Sequence, residues 1–297
     1  MPLIKYQFKS GIDREGTSYT AEGGWYNSDK IRFRSGHPEK IGGWQKYSDS
    51  TFLGSARSLY NYAAASGTHY VGIGTNLKFY ISDGVTYNDI TPIRATTSAG
   101  DVTFSATNGD ATLTVTDASH GAVQNDFVTF SGAATLGGLI TATVLNQEYQ
   151  IATITSTNVY TIEAKDTDGD TVTANSSDSG NGGSSVVGTY QINTGLDEYV
   201  SGSGWGVSTW GAGGFGSATS LDDTNQLRLY SQDNFGDDLI FCPRLGGIYY
   251  WDQSSGVSTR AVAFSSLGSA SNTPTKCLQI MVSDIDRHVI AFGSNAI

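Results

Sequence analysis

The sequence predicts an all-β protein, with a β-propeller-like body of blades about 50 residues long and a small inserted β-sandwich or β-barrel domain. Three observations predict it. An aromatic strand pattern repeats: His69-Tyr70-Val71-Gly72-Ile73-Gly74-Thr75-Asn76 returns 219 residues later as His288-Val289-Ile290-Ala291-Phe292-Gly293-Ser294-Asn295. Phe79-Tyr80-Ile81-Ser82-Asp83 returns 169 residues later as Ile248-Tyr249-Tyr250-Trp251-Asp252, and the two shifts differ by 50. Next, 37 glycines punctuate runs of Thr, Val, Ile, Tyr and Phe, and no long stretch rich in Ala, Leu, Glu and Lys favours helix. Finally, residues 101–194 change composition: they are rich in Thr, Val, Ala, Asp and Ser and lack Trp, Pro and Arg. A repeated sheet unit must bury its faces against its neighbours, so the repeat implies architecture before chemistry.

Residues 1–94 read as an N-terminal arm and a first blade. Lys30–Arg34 alternates with period two and is a strand. Ser35–Glu39 is a turn, and Lys40–Trp44 the return. Residues 56–62, 69–74 and 77–82 are strands parted by turn residues such as Ser66-Gly67-Thr68. Residues 95–194 form the inserted acidic β domain. Its strands are expected at Val102–Ala106, Ala111–Thr116, Phe127–Ser131, Tyr149–Ile154, Val159–Glu163 and Thr171–Ala174. Asp166–Asp170 is a hairpin turn, and residues 175–185 read as a flexible loop. Residues 195–297 resume the aromatic body. A Gly-Trp stretch around Trp205 and Trp210 leads to strands at Gln226–Tyr230, Asp238–Cys242, Gly247–Trp251 and Thr259–Phe264. A third blade begins near Pro274. The sequence stops inside that pattern, so the front part of a longer protein is expected, with completion of the sheet by other chains as the alternative.

Charge narrows the function classes. The net charge is −11. Residues 1–94 carry 8 acids and 11 bases, residues 95–194 carry 10 acids and one base (Lys165), and residues 195–297 carry 10 acids and 5 bases. Tight non-specific nucleic-acid binding needs Lys and Arg to displace counterions, which this balance does not supply. Met1-Pro2-Leu3-Ile4-Lys5-Tyr6 has no apolar core for a signal peptide, and no apolar run is long enough for a membrane span, so no membrane insertion is expected. Cys242 and Cys277 sit in apolar, strand-like surroundings. Two buried thiols are the preferred reading, with a single disulfide the alternative.

Catalytic signals are weak. Gly211-x-Gly213-x-x-Gly216 has the letters of a dinucleotide fingerprint but no helical period after it. Asp166, Asp168 and Asp170 have alternate spacing, yet lack the sixth-position Gly and twelfth-position Glu of a calcium loop. Ser82–Tyr87 and Ser231–Gly236 are similar to the Asp-containing turns of sialidase propellers, without the arginine cluster such an enzyme needs; they read as Asx hairpin closures. His37, His69, His120 and His288 show no metal-ligand spacing. No catalytic residue, metal or cofactor is therefore expected. Trp25, Trp44, Trp205, Trp210 and Trp251 are the interface candidates, with sugar stacking as the alternative.

A set of motifs carries a resemblance. It comprises Gly23-Gly24-Trp25-Tyr26-Asn27, Lys30 through Trp44, Leu227 through Gly236, and Gly246-Gly247-Ile248-Tyr249-Tyr250-Trp251-Asp252. Together they resemble the tail nozzle (packaged-DNA stabilisation) proteins of short-tailed bacteriophages, over about residues 20–94 and 200–297. The acidic insert departs from the simplest form of that pattern. The resemblance implies a non-enzymatic virion protein assembled in the host cytoplasm. Six copies would form a ring below the adaptor (connector), extending the DNA channel, retaining packaged DNA and supporting fibres or spikes. Genomic DNA would pass without sequence-specific binding. The alternative function is a carbohydrate-binding β-propeller used in host attachment.

Overall fold

A computed structural model describes residues 9–17, 19–20, 22–43, 45–193, 227, 229–268, 270, 272–283 and 285–295. The chain divides into two compact units, residues 1–47 and 48–297.

Among its described residues, the first unit contains one hairpin, β1 (Ile31–Arg34) with β2 (His37–Lys40), paired antiparallel. Ser35 and Gly36 both take positive φ, 50° and 80°. That geometry makes a two-residue loop whose twist matches the strands. The return therefore begins at His37 rather than at Lys40, and Pro38 lies within a two-stranded ribbon, where every strand is an edge and a missing N–H is tolerated. Arg32 Nε meets Glu39 Oε2 across the ribbon at 3.1 Å.

The second unit is all-β and propeller-like. Its first sheet is a four-stranded antiparallel meander of β3 (Ala56–Ala63), β4 (His69–Thr75), β5 (Phe79–Ser82) and β6 (Tyr87–Asp89). Tyr62, Tyr70, Phe79 and Ile81 project from one face into a core. The chain then leaves for the inserted module and returns. Its departure and re-entry are adjacent, because Ile192 N donates to Pro92 O at 3.0 Å.

The module is a β-sandwich. β7 (Ile93–Thr96), β8 (Thr103–Ala106), β9 (Thr112–Thr116) and β10 (Phe127–Ser131) precede a single helical turn, α1 (Ala142–Leu145). β11 (Glu148–Gln150), β12 (Thr153–Ser156), β13 (Val159–Glu163), β14 (Asp178–Asn181) and β15 (Val187–Gln191) follow. One sheet runs β11-β10-β15-β7 and the other β12-β13-β9-β8-β14. They face each other through Phe104 and Phe130, whose rings meet edge-on at 4.9 Å. Among the described residues, the core draws on the module alone. Three sequence expectations change here. Tyr149–Ile154 is not one strand but is divided between β11 and β12, which lie in different sheets. The segment read as a loop, 175–185, contains β14, which pairs irregularly with β8. The expected strand Thr171–Ala174 reduces to a bridge between Lys165 and Thr171.

The second meander is β16 (Tyr230–Phe235), β17 (Asp238–Pro243), β18 (Tyr249–Trp251) and β19 (Val262–Ala263). A third hairpin pairs β20 (Gln279–Val282) with β21 (Val289–Phe292). The repeat shifts are now structural: 169 residues carry β4 and β5 onto β17 and β18, and 219 carry β4 onto β21. Of Ser231–Gly236, read from sequence as a turn, Ser231 to Phe235 belong to strand β16, and the reversal falls at Gly236 and Asp237.

The sheets stack face to face, and β17 shows why. Its run Leu239-Ile240-Phe241-Cys242 is buried throughout. Successive side chains of a strand point to opposite faces. Leu239 and Phe241 enter the core shared with the first meander, while Ile240 and Cys242 enter the core shared with β20 and β21. A strand covered on both sides reads as a continuous apolar run. Close approach of the first two sheets requires Gly74, where an added Cβ would lie 2.3 Å from Tyr230 Cδ2 and 2.8 Å from Ser58 Oγ. Gly74→Ala is expected to cost about 1–3 kcal/mol through overpacking, read as a lower urea midpoint at unchanged slope. An unmoved midpoint would show that the sheets are not held this closely.

Candidate functional site

The tryptophan candidates fare differently. Trp251, on β18, is 1% exposed, and its indole N–H donates to Thr259 O at 3.1 Å. It packs edge-on against Tyr70 at 5.5 Å. It is a core residue in this fold, with no free face to offer a sugar. Trp25 is half-buried in the first unit, bridged to Ile12 and edge-on to Phe33 at 6.1 Å. Trp44, Trp205, Trp210 and the Gly211–Gly216 stretch lie outside the described residues.

The acidic turn at 166–170 is an Asx turn. Asp166 Oδ1 accepts from the N–H of Asp168 and of Asp170, at 3.0 and 2.9 Å, and Gly169 takes φ +90°. His120 is engaged at both nitrogens. Nδ1 accepts from Ala122 N–H at 3.0 Å, so Nε2 is the protonated nitrogen and donates to Ser156 O at 3.0 Å. Among the described residues no group of His, Cys, Asp and Glu is arranged to hold a metal.

What the structure does assemble is a set of polar ties between sheets. On β16, Asp233 reaches both neighbours. Its Oδ1 accepts from Tyr60 Oη of the first meander at 2.9 Å, and its Oδ2 from Val282 N of the third hairpin at 2.7 Å. Ser231 Oγ donates to Ile280 O at 2.7 Å and accepts from Ile280 N at 3.1 Å. Gln253 Nε2 donates to Tyr70 Oη at 3.1 Å. Tyr62 sits within this rim, with its hydroxyl enclosed. Burial, reinforced by Tyr70 and Asp238, pushes that hydroxyl far above the ordinary tyrosine range. Asp233→Ala removes the carboxylate that serves both neighbours. A loss of about 1.5–3 kcal/mol is expected for charge-assisted hydrogen bonds, measured by chemical denaturation; no change would show that water replaces both bonds without cost.

A second constellation lies at the root of the sandwich. Lys78, 3% exposed, precedes β5. Its ammonium meets Asp89 Oδ2 at 2.8 Å, contacts Glu148 Oε1 of β11, and lies 4.5 Å over the Phe127 ring. Arg260, from the second meander, meets Asp89 Oδ2 at 3.1 Å and Glu148 Oε2 at 3.7 Å. Gln191 of β15 donates to Glu148 at 2.5 Å. Two cations therefore face two carboxylates drawn from both meanders and the sandwich. Burial raises the Asp89 pKa, but the Lys78 charge and hydrogen bonds from Lys78 and Thr91, with help from Arg260, outweigh it and hold the carboxyl below its usual value. This junction has no sequence motif; its only trace is lone charges within aromatic or alternating strands.

The two ends of the stack differ. The outer face of the first meander is covered by residues 48–53. Phe52 lies 5.9 Å from Tyr80 and 5.1 Å edge-on to Tyr87, and Leu53 N donates to Tyr80 Oη at 3.1 Å. Burial is the main reason that the Tyr80 hydroxyl is pushed up to about 12. On the third hairpin, Ile280 and Val282 face inward, whereas Met281, Ile290 and Phe292 are 43%, 40% and 47% exposed. No helix among the described residues is long and apolar enough to cross a membrane.

No family model and no curated protein matches the chain. One solved structure that it is similar to is the phage phi92 endosialidase, at 12% identity and a TM-score of 0.23, over 77% of this chain and 33% of that one. The chain thus spans about a third of the length of that protein, and a superposition this loose identifies neither a family nor an activity.

Proposed function

We propose that this chain is a structural subunit of a tailed-bacteriophage virion: a tail nozzle protein, six copies of which form a ring beneath the adaptor. The observation that carries the reading is the stack itself. Three sheets lie face to face, and polar side chains such as Asp233, Ser231 and Gln253 tie one sheet to the next. Such a body resists deformation, as a channel wall must. Two of the four motifs that resemble nozzle proteins, Leu227 through Gly236 and Gly246 through Asp252, fall on its strands β16 and β18.

In this reading the protein is not an enzyme and binds no cofactor. The net charge of −11 keeps passing DNA from adhering to the wall. The sandwich, joined to the body by the adjacent segments at Pro92 and Ile192, is the docking module for a fibre or spike. The test is cryo-electron microscopy of the intact virion with counting of copies. A sixfold ring directly below the adaptor supports the proposal. Placement at a fibre tip, or turnover of a glycan by the purified chain, overturns it.

A further inference from the structure

Cys242 lies on β17, and Cys277 forms an isolated antiparallel bridge with Gly246 just ahead of β20. The two are 35 residues apart in sequence, yet their Sγ atoms are 2.9 Å apart. Both side chains are 0% exposed, within the core formed by Ile240, Ile248, Ile280 and Val282. The backbone fixes the approach from both sides: Leu245 N donates to Cys277 O at 2.8 Å, and Cys277 N to Gly246 O at 3.0 Å. A disulfide needs its sulfurs about 2.05 Å apart, so closure asks for roughly 1 Å of movement between side chains already facing each other.

We propose that Cys242 and Cys277 form an oxidation site, at which a peroxide closes an intramolecular disulfide that clamps the third hairpin to the second meander. Both thiols are fully enclosed, so bulky thiol–disulfide partners are excluded and a small peroxide reaches them through local opening of the hairpin. The chemistry balances. The Cys277 thiolate attacks one peroxide oxygen, the O–O bond breaks, and hydroxide leaves with the thiol proton as water. Cys242 sulfur then attacks the sulfenic sulfur, the S–O bond breaks, and a second water leaves. Two thiols and one hydrogen peroxide give one disulfide and two waters, with two electrons passing from sulfur to peroxide. The hydrogen bond from Cys242 lowers the Cys277 pKa against the opposing effect of burial, which favours Cys277 as the attacking thiolate. The consequence is mechanical. A two-stranded hairpin packed on one face is weakly held by itself, and the bond would tether it covalently.

The test uses the purified full chain, treated with hydrogen peroxide, unfolded in N-ethylmaleimide and mapped by mass spectrometry. Oxidation of Met281, 43% exposed, reports that the dose was sufficient. The expected result is one cross-linked peptide pair joining Cys242 and Cys277, about 2 Da lighter than the sum of the reduced peptides. No maleimide should be found on either cysteine until dithiothreitol restores both sites. The thermal midpoint of the oxidised protein should rise by several degrees, with no such rise in Cys277→Ser treated in parallel. Two alkylated thiols, sulfinic or sulfonic acid at either residue, or a disulfide between two chains, each found with Met281 oxidised, would overturn the proposal. The wild-type map alone decides, even if the serine variant folds poorly.

Discussion

Phe241→Ala is expected to lower the stability of the second unit by about 3–5 kcal/mol, the range for truncating a fully buried aromatic ring. The Phe241 ring lies parallel to Phe79, 3.7 Å between centroids and 4° between planes. It is also 5.6 Å from the ring of Tyr249, and both Phe241 and Phe79 are 0% exposed. Truncation removes apolar contact with both meanders at once. The cavity would form between two sheets that are fixed by the Asp233 and Gln253 ties and cannot collapse to refill it. Urea unfolding, with tryptophan fluorescence to follow the buried Trp251, is the measurement. A loss under about 1 kcal/mol would mean that the meanders do not share this core, since fully buried aromatic truncations do not cost so little. Leu59→Ala on β3, 68% exposed, is the control and should change little.

The repeat was the legible part of this chain because it is written in side chains that alternate. Tyr70, Gly72 and Gly74 must sit on one face of β4, and alternation returns in β21, while the copy in β17 keeps the strand positions but is apolar on both faces. The run in β17 was legible as a strand, and its cover on both faces came only with the structure. Boundaries were less legible where backbone pairing overrode composition. Residues 175–185 read as a loop from their Asn, Ser and Gly content, but the unpaired edge of β8 recruits β14 from them. The turn assigned to Ser231–Gly236 failed for a related reason. Asp233 and Asn234 have turn-forming side chains, yet here those side chains are occupied by Tyr60 of the neighbouring sheet. Trp251 was a reasonable interface candidate because aromatic residues suit both cores and surfaces, and only burial separates the two. The junction at Lys78 was illegible. It joins residues 78, 89, 148 and 260, and no local spacing records a contact between elements so distant in sequence.

Lys78→Met is expected to cost about 3 kcal/mol at neutral pH, the low end of the range for breaking a buried ion pair. The low end applies because Asp89, Glu148 and Arg260 side chains retain 21%, 29% and 32% exposure, so water screens part of the charge left behind. The methionine fills the volume, and the loss is therefore electrostatic: two carboxylates would face only Arg260. The pH dependence gives the sharper test. In the wild type the folded Asp89 pKa lies below its ordinary 3.8. Its contribution is thus complete above the unfolded value and is lost as pH falls through the folded one. Without Lys78, burial dominates and Asp89 takes up its proton at higher pH than in the unfolded chain, so acidification relieves the poorly paired buried charge and the variant gains stability at this site while the wild type loses it. At still lower pH both proteins carry a neutral Asp89, and Lys78 in the wild type is left buried beside weakened partners. The stability gap should accordingly be widest near neutrality and narrow towards pH 3, in paired urea titrations. A gap that stays constant from pH 7 to pH 3 would show that Lys78 acts through packing on Phe127 rather than through its charge.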